Sequence, residues 1–175
     1  MKPAVFLLCL FCSFCVSAQT RDSRQSPNLF IITIDGVRWQ ELFNGPDERI
    51  INDKEYVADP ALIKEMYWNK DVQERRKKLL PFFWNIIARK GQLYGNRKYG
   101  NRMNVTNRYK FSYPGYNEIF TGYPDTRFVP NTPVLNENTN VLEFLNQQIE
   151  YRQKVAAFTS WNVFPYILNE PRSGV

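Results

Sequence analysis

Two stretches of the chain consist of adjacent large apolar residues rather than alternating apolar and polar ones. They are "NLFIITID" at 28–35 and "KVAAFTS" at 154–160. Runs of this kind are typical of strands that are buried on both faces of a parallel sheet. The segments 92–101 and 103–112 add two short predicted strands between glycine and asparagine turns.

Helical patterns lie between these predicted strands. Asp59 is a plausible N-cap for a helix over 60–68, because its side chain can accept from a free first-turn N–H. The stretch 71–91 is interrupted by Pro81, which predicts two helices or one kinked helix ending at Gly91. The other helical predictions are a short turn at 36–45 closed by Asn44-Gly45, a helix at 113–122 and an amphipathic helix at 140–151.

This alternation of strands and helices predicts the α/β class, with a mostly parallel sheet flanked by helices. Residues 46–59 and 123–139 are predicted to be irregular. A sheet of three or four strands followed by a short tail looks unfinished. We therefore expect 28–175 to be the N-terminal part of a larger catalytic domain, incomplete at its C-terminus.

The first eighteen residues have the pattern of a secretory signal peptide. Lys2 precedes an apolar core at 4–16, and small residues lead to an expected cut between Ala18 and Gln19. The core is too short to span a bilayer as a helix. We predict a signal peptide at 1–18, a flexible lead-in at 19–27, and a secreted or periplasmic protein without a stable membrane anchor after cleavage. The alternative is an uncleaved anchor.

Composition removes several classes of site. The chain has no histidine, which excludes a Ser-His-Asp triad or a histidine-containing zinc site formed by this chain alone. All three cysteines lie inside the predicted signal peptide. The net charge of +6 is partly concentrated in "ERRKKLL" at 74–80. We interpret that run as a solvated helix face, because no nucleic-acid-binding module accompanies it.

Two residues combine into a candidate site. Asp35 ends the first predicted strand, where ligands of open α/β sheets collect, and a carboxylate there can ligate a divalent metal. Ser112 precedes the predicted helix 113–122, where N–H groups and the helix dipole favour anions. The alternatives are an ordinary Asp-Gly turn at Asp35 and an ordinary N-cap at Ser112.

Together, "NLFIITIDGVRW" and "FSYPGYNEIFTGYPD" resemble the N-terminal part of the alkaline phosphatase superfamily. The nucleotide pyrophosphatase/phosphodiesterase-like and phosphoglyceromutase-like members look closest, and sulfatases are related. The resemblance implies that Asp35 ligates one of two divalent metal ions, with zinc expected, and that Ser112 ligates metal and attacks the ester. Pro114, Thr121 and Gly122 match the spacing that follows the family's nucleophile. Most metal ligands would come from outside this chain, which we expect to be inactive alone.

Two departures from the family pattern affect the substrate. Phosphodiesterase-like members often carry Asn three residues after the nucleophile, where this chain has Gly115, so Asn117 is the candidate substrate-binding amide. Sulfatases carry Arg four residues after theirs, where this chain has Tyr116. The expected function is hydrolysis of a small-molecule phosphate mono- or diester. The alternatives are a sulfatase or phospho-sugar mutase-like enzyme acting on a sulfate or phosphate ester, and a non-catalytic exported binding protein.

Overall fold

The computed structural model describes residues 28–175. The predicted signal peptide (1–18) and lead-in (19–27) lie outside the described residues. The chain divides into two units, Met1–Thr33 and Ile34–Val175, and every helix described here belongs to the second. Within 28–175, no helix is long and apolar enough to cross a membrane.

The regular structure of residues 28–175 is helical. A π-helical turn at Phe83–Ile87 and a 3₁₀ turn at Arg97–Tyr99 accompany the α-helices. The α-helices are α1 (Trp39–Asn44), α2 (Glu48–Ile51), α3 (Pro60–Tyr67), α4 (Val72–Leu79), α5 (Ala88–Lys90), α6 (Ser112–Thr121), α7 (Val141–Gln147), α8 (Phe164–Ile167) and α9 (Glu170–Ser173).

The predicted α/β fold, a mostly parallel sheet flanked by helices, is wrong for the described residues, which contain no strand. Residues 28–34 have no regular structure, and Leu29 is 82% exposed. The segment 154–159 is also irregular, and Phe158 is 95% exposed. An apolar, β-branched run indicates a propensity for extended backbone. A strand forms only where a second strand takes its backbone hydrogen bonds.

The helix predictions that rest on caps and proline are confirmed. The Asp59 side chain accepts from the N–H of Leu62 at 3.0 Å at the start of α3. Residues 71–91 form α4, which ends at Leu79, and a second helical segment that begins at Pro81, and the backbone leaves the helix at Gly91. The prediction for 46–59 missed α2, and α7 is shorter than the predicted 140–151.

Two arginines of α4 contact the end of α1 and two neighbouring tryptophans. The guanidinium of Arg76 lies 3.6 Å from the Trp84 ring centre, and that of Arg75 lies 4.3 Å from the Trp68 ring centre. Arg75 Nε also donates to the carbonyl of Asn44 at 2.8 Å. The interpretation of "ERRKKLL" as a solvated face is therefore wrong for its two arginines, which are half-buried.

Gly45 is required at the end of α1 for two reasons. Its φ of +74° is a left-handed backbone value that disfavours a side chain. A Cβ built there would lie 2.6 Å from Cγ of Arg75 and 2.8 Å from its backbone carbon. The predicted Asn44-Gly45 helix end thus also lets α4 approach closely.

The aromatic core lies between α6 and α8. Tyr113, Tyr116 and Phe120 form the buried face of α6, and Phe164 and Ile167 face them from α8. The ring centres of Tyr116 and Phe164 are 4.6 Å apart at an angle of 61°. Edge-to-face contact of this kind adds stability beyond the area that the rings bury.

Asparagine amides connect the irregular segment 123–140 to this core. The Asn136 amide donates to Asn117 Oδ1 at 2.8 Å and to the carbonyl of Ile167 at 3.0 Å. Its backbone N–H donates to Tyr166, and its carbonyl accepts from Asn169 at 2.7 Å. Asn136 is buried, and these bonds satisfy backbone groups of a segment that has no sheet or helix to pair them.

Removing the two Asn136 donors should destabilise the fold. Asn136→Asp replaces the amide by a carboxyl group of the same size. This group has fewer hydrogen-bond donors than the amide for the Ile167 carbonyl and Asn117 Oδ1. We expect the free energy of unfolding, measured in urea, to fall by about 2–4 kcal/mol. The control is Asn162→Asp, at an exposed position. An equal loss in both variants would contradict the network.

Candidate functional site

Ser112 is the first residue of α6. Phe111 occupies the N-cap position, and its side chain makes no capping bond. The alternative that Ser112 is an ordinary N-cap is therefore wrong. The Ser112 side chain is half-buried, and its hydroxyl forms no hydrogen bond with another described residue. It is thus accessible at the positive end of a ten-residue helix.

The first turn of α6 offers fewer free N–H groups than its position suggests. The N–H of Tyr113 donates to Asn131 Oδ1 at 2.9 Å, and Pro114 has no N–H. The N–H of Gly115 donates to the carbonyl of Phe111 at 3.1 Å. The expectation that N–H groups after Ser112 hold a transferred group is therefore not met in this arrangement. The Asn131 amide oxygen occupies the place of an anion's oxygen.

Asn117 is a structural residue in this arrangement. It is 3% exposed, and its Oδ1 accepts from Asn136 and from Asn138, the latter at 3.2 Å. Its Nδ2 has no partner among the described residues. The same nitrogen is covered from solvent, so a substrate would reach it only after a rearrangement. Its substrate-binding role stays a prediction.

Asp35 lies in a turn with Gly36 before α1, and its side chain is exposed. The Asp-Gly turn is confirmed, whereas the strand that was to place Asp35 at a sheet edge is absent from the described residues. Helix α1 packs against α4, and α6 packs against α7 and α8. Asp35 and Ser112 thus adjoin elements with different packing partners, and the metal-ligand role of Asp35 stays a prediction.

A cavity of about 210 Å³ adjoins the start of α6. Tyr113, Pro114 and Asn117 line it from the helix, and residues 125–129 and 134–137 line the opposite wall. Burial raises the pKa of Tyr113 to about 12, and its hydroxyl donates to the carbonyl of Val134 at 2.7 Å. Tyr113 is therefore not a proton carrier near neutral pH.

The charges at this cavity are already paired. Arg127 donates to Asp125 Oδ2 at 2.8 Å and also contacts Glu137. Hydrogen bonds from Arg127 hold the pKa of Asp125 well below its usual range, against the effect of burial. With two carboxylates around it, the Arg127 guanidinium is not a free positive charge on this wall.

Glu118 fixes the outer side of α6 to the preceding segment. Its carboxylate accepts from the backbone N–H groups of Thr106 and Asn107 at 2.6 and 2.9 Å, and from both side chains at 2.7 and 2.8 Å. Burial alone would raise the pKa of Glu118. The four hydrogen bonds together outweigh it and lower the pKa to about 2.

Sequence reasoning missed Asn131, Arg127 and Glu118. Asn131 and Arg127 follow α6 in a segment predicted only to be irregular, and Glu118 is one of several polar residues on an amphipathic helix. Apart from Asp125, which lies two residues from Arg127, their partners lie 10 to 18 residues away along the chain. No local pattern specifies such pairs.

Comparison of the chain with protein-family models, curated proteins and solved structures finds no match. The resemblance to the alkaline phosphatase superfamily is thus carried by the two motifs alone and stays a prediction.

The Glu118 contacts predict a specific acid sensitivity. A carboxylate whose pKa is lower in the folded chain stabilises it above the ordinary pKa of 4.5, and this contribution disappears as the pH falls towards 2. We expect the free energy of unfolding to decrease less over this interval in Glu118→Gln than in the original chain. Urea unfolding at several pH values measures this.

Glu150→Gln is the matched control, because Glu150 is exposed and makes no hydrogen bond with another described residue. It should retain the pH dependence of the original chain. If Glu118→Gln also retains it, the bonds from Thr106 and Asn107 do not set the pKa of Glu118.

Proposed function

We propose that this chain supplies the nucleophile of an exported hydrolase of phosphate mono- or diesters, and that Ser112 is that nucleophile. The observation that carries the proposal is the position of Ser112. It is an accessible hydroxyl at the first residue of α6, within the segment that resembles the nucleophile motif of the alkaline phosphatase superfamily.

The helix start favours the charge that this reaction develops. The dipole of α6 stabilises partial negative charge on Ser112 Oγ as it attacks phosphorus. A bond forms between Oγ and phosphorus while the bond to the leaving alcohol breaks, and the serine proton passes to the leaving oxygen. Water then attacks phosphorus, the bond between phosphorus and Ser112 Oγ breaks, and a proton from that water passes to Oγ. Since the chain has no histidine, no imidazole of its own takes part.

The described residues do not by themselves fit the two-metal centre that the resemblance implies. Within 28–175, no group of three or more His, Cys, Asp or Glu side chains lies close enough to hold a metal ion. Asp35 and Ser112 remain the proposed ligands from this chain. Divalent metals, zinc being expected, would supply Lewis-acid activation of the serine when bound with further ligands.

The surroundings of Tyr116 support a phosphate ester over a sulfate ester. Sulfatases need an arginine at this position to convert their nucleophile. Here the side chain is 7% exposed and packs between Phe120 and Phe164 in the core. An arginine has no room for its charge among these rings. This favours Ser112 as an unmodified hydroxyl.

Replacing Ser112 tests the proposal. In the complete protein, Ser112→Ala should lower kcat for p-nitrophenyl phosphate or bis-p-nitrophenyl phosphate by about a thousandfold or more, because the attacking oxygen is lost. Acid quenching of the original protein during turnover should leave one phosphoryl group on the peptide containing Ser112, detected by mass spectrometry.

Ser160→Ala is the control, because Ser160 is an exposed serine outside α6. It should retain full activity. Unchanged turnover in Ser112→Ala, or a phosphoryl group on a different residue, would refute the assignment. Turnover of an aryl sulfate, measured beside the aryl phosphates, distinguishes this proposal from the sulfatase alternative.

A further inference from the structure

A second cavity lies beside α1, and it is an open groove of about 550 Å³. Val37, Trp39 and Phe43 line it from one side, and Tyr94, Arg97 and Met103 line it from the segment that contains the 3₁₀ turn. The groove therefore combines aromatic and apolar walls with arginine side chains. It shares no lining residue with the cavity beside Ser112.

Arg97 is the charge that this groove leaves uncompensated. No carboxylate of residues 28–175 forms an ion pair with it. Its Nη2 donates to Asn104 Oδ1 at 2.7 Å, which uses one of its five N–H donors and fixes the direction of the guanidinium. The remaining N–H groups of this planar guanidinium can donate to two oxygens of one anion side by side.

The other arginine of the groove is neutralised. Arg38 donates to both carboxylate oxygens of Glu41, through Nε at 2.8 Å and through Nη2, and lies 4.0 Å from Asp47. The hydrogen bonds that Arg38 donates to Glu41 raise the pKa of Arg38, as expected for a guanidinium held by a carboxylate. Among the described residues that line this groove, Arg97 is therefore the cation left to bind an anion.

Aromatic rings lie next to the Arg97 guanidinium. The guanidinium carbon of Arg97 is 5.6 Å from the centre of the Trp39 ring, within the range of cation–π attraction. Tyr94 lines the same groove with 57% of its surface exposed, and Met103 adds an exposed thioether. Such walls favour a flat ring, which buries apolar area and meets polarisable atoms.

From these features we infer that the groove is a binding site for a small aromatic anion. The ring of the ligand lies against Trp39 and Tyr94, and its phosphate, phosphonate or carboxylate oxygens accept from Arg97. The ring alone lacks the ion pair, and inorganic phosphate alone lacks the apolar contact. Recognition therefore needs both parts in one molecule.

Titration with four probes tests this inference without any turnover. The probes are phenylphosphonate, which cannot be hydrolysed as an ester, benzoate, benzyl alcohol and inorganic phosphate. The readout is the ¹⁵N–¹H signal of the Trp39 indole, assigned by its loss in Trp39→Phe. We expect phenylphosphonate and benzoate to shift this signal until it saturates. Benzyl alcohol and inorganic phosphate, which each lack one part of the ligand, should bind at least about tenfold more weakly.

Two arginine variants locate the anion. Arg97→Gln keeps a polar side chain but removes the charge and the planar set of donors, and it should weaken phenylphosphonate binding by about tenfold. Arg102→Gln removes an exposed arginine nearby that does not line the groove, and it should leave binding unchanged. The indole of Trp161, which packs against the α6–α8 core, should not shift with any probe.

Three results would overturn the inference. They are equal binding in Arg97→Gln and the original chain, equal losses in both arginine variants, and equal affinity for phenylphosphonate and inorganic phosphate. A folded-state check by circular dichroism accompanies each variant. The inference does not depend on Ser112, because the signal is read at the Trp39 indole and the groove shares no lining residue with the cavity at the start of α6.

Discussion

The α6–α9 part of the described structure depends on a small set of buried amide hydrogen bonds centred on Asn136. A segment of about twenty residues without helix or strand carries backbone groups that must find partners elsewhere. At Asn136 the backbone N–H and carbonyl are paired with α8 and with the residue before α9, and the side-chain amide donates to α6 and α8. These bonds pair the backbone groups of Asn136 where the segment packs against the aromatic core, and they leave Asn117 Nδ2 without a partner among the described residues.

The same bonds position the start of α6. Its inner face packs on α8 through Tyr113 and Tyr116, and its outer face is held by the Glu118 carboxylate. Asn131, from the segment that Asn136 anchors, then caps the helix at Tyr113. The position of Ser112 is therefore set by these contacts rather than by interactions of its own side chain.

Sequence reasoning located helix ends well because those signals are local. Asp59 and Gly122 act on groups within three or four residues, so their effect is readable without the fold. The predicted strands failed because 28–35 and 154–160 carry strand propensity without a partner that the sequence can name. The asparagine network was missed for a related reason: Asn136 bonds to residues 19 and 31 positions away. Of the candidate site, the position of Ser112 at a helix start was predictable, and its cap from Asn131 was not.

The end of α1 has a chemical consequence. Asn-Gly pairs are the sequence most prone to spontaneous deamidation, which requires the glycine nitrogen to attack the asparagine side-chain carbonyl. At Asn44-Gly45 that N–H is donated to the carbonyl of Glu41 at 2.9 Å, and the glycine is pressed against Arg75. The folded arrangement therefore protects the pair. The rate at which isoaspartate forms at position 44 therefore reports how often α1 separates from α4.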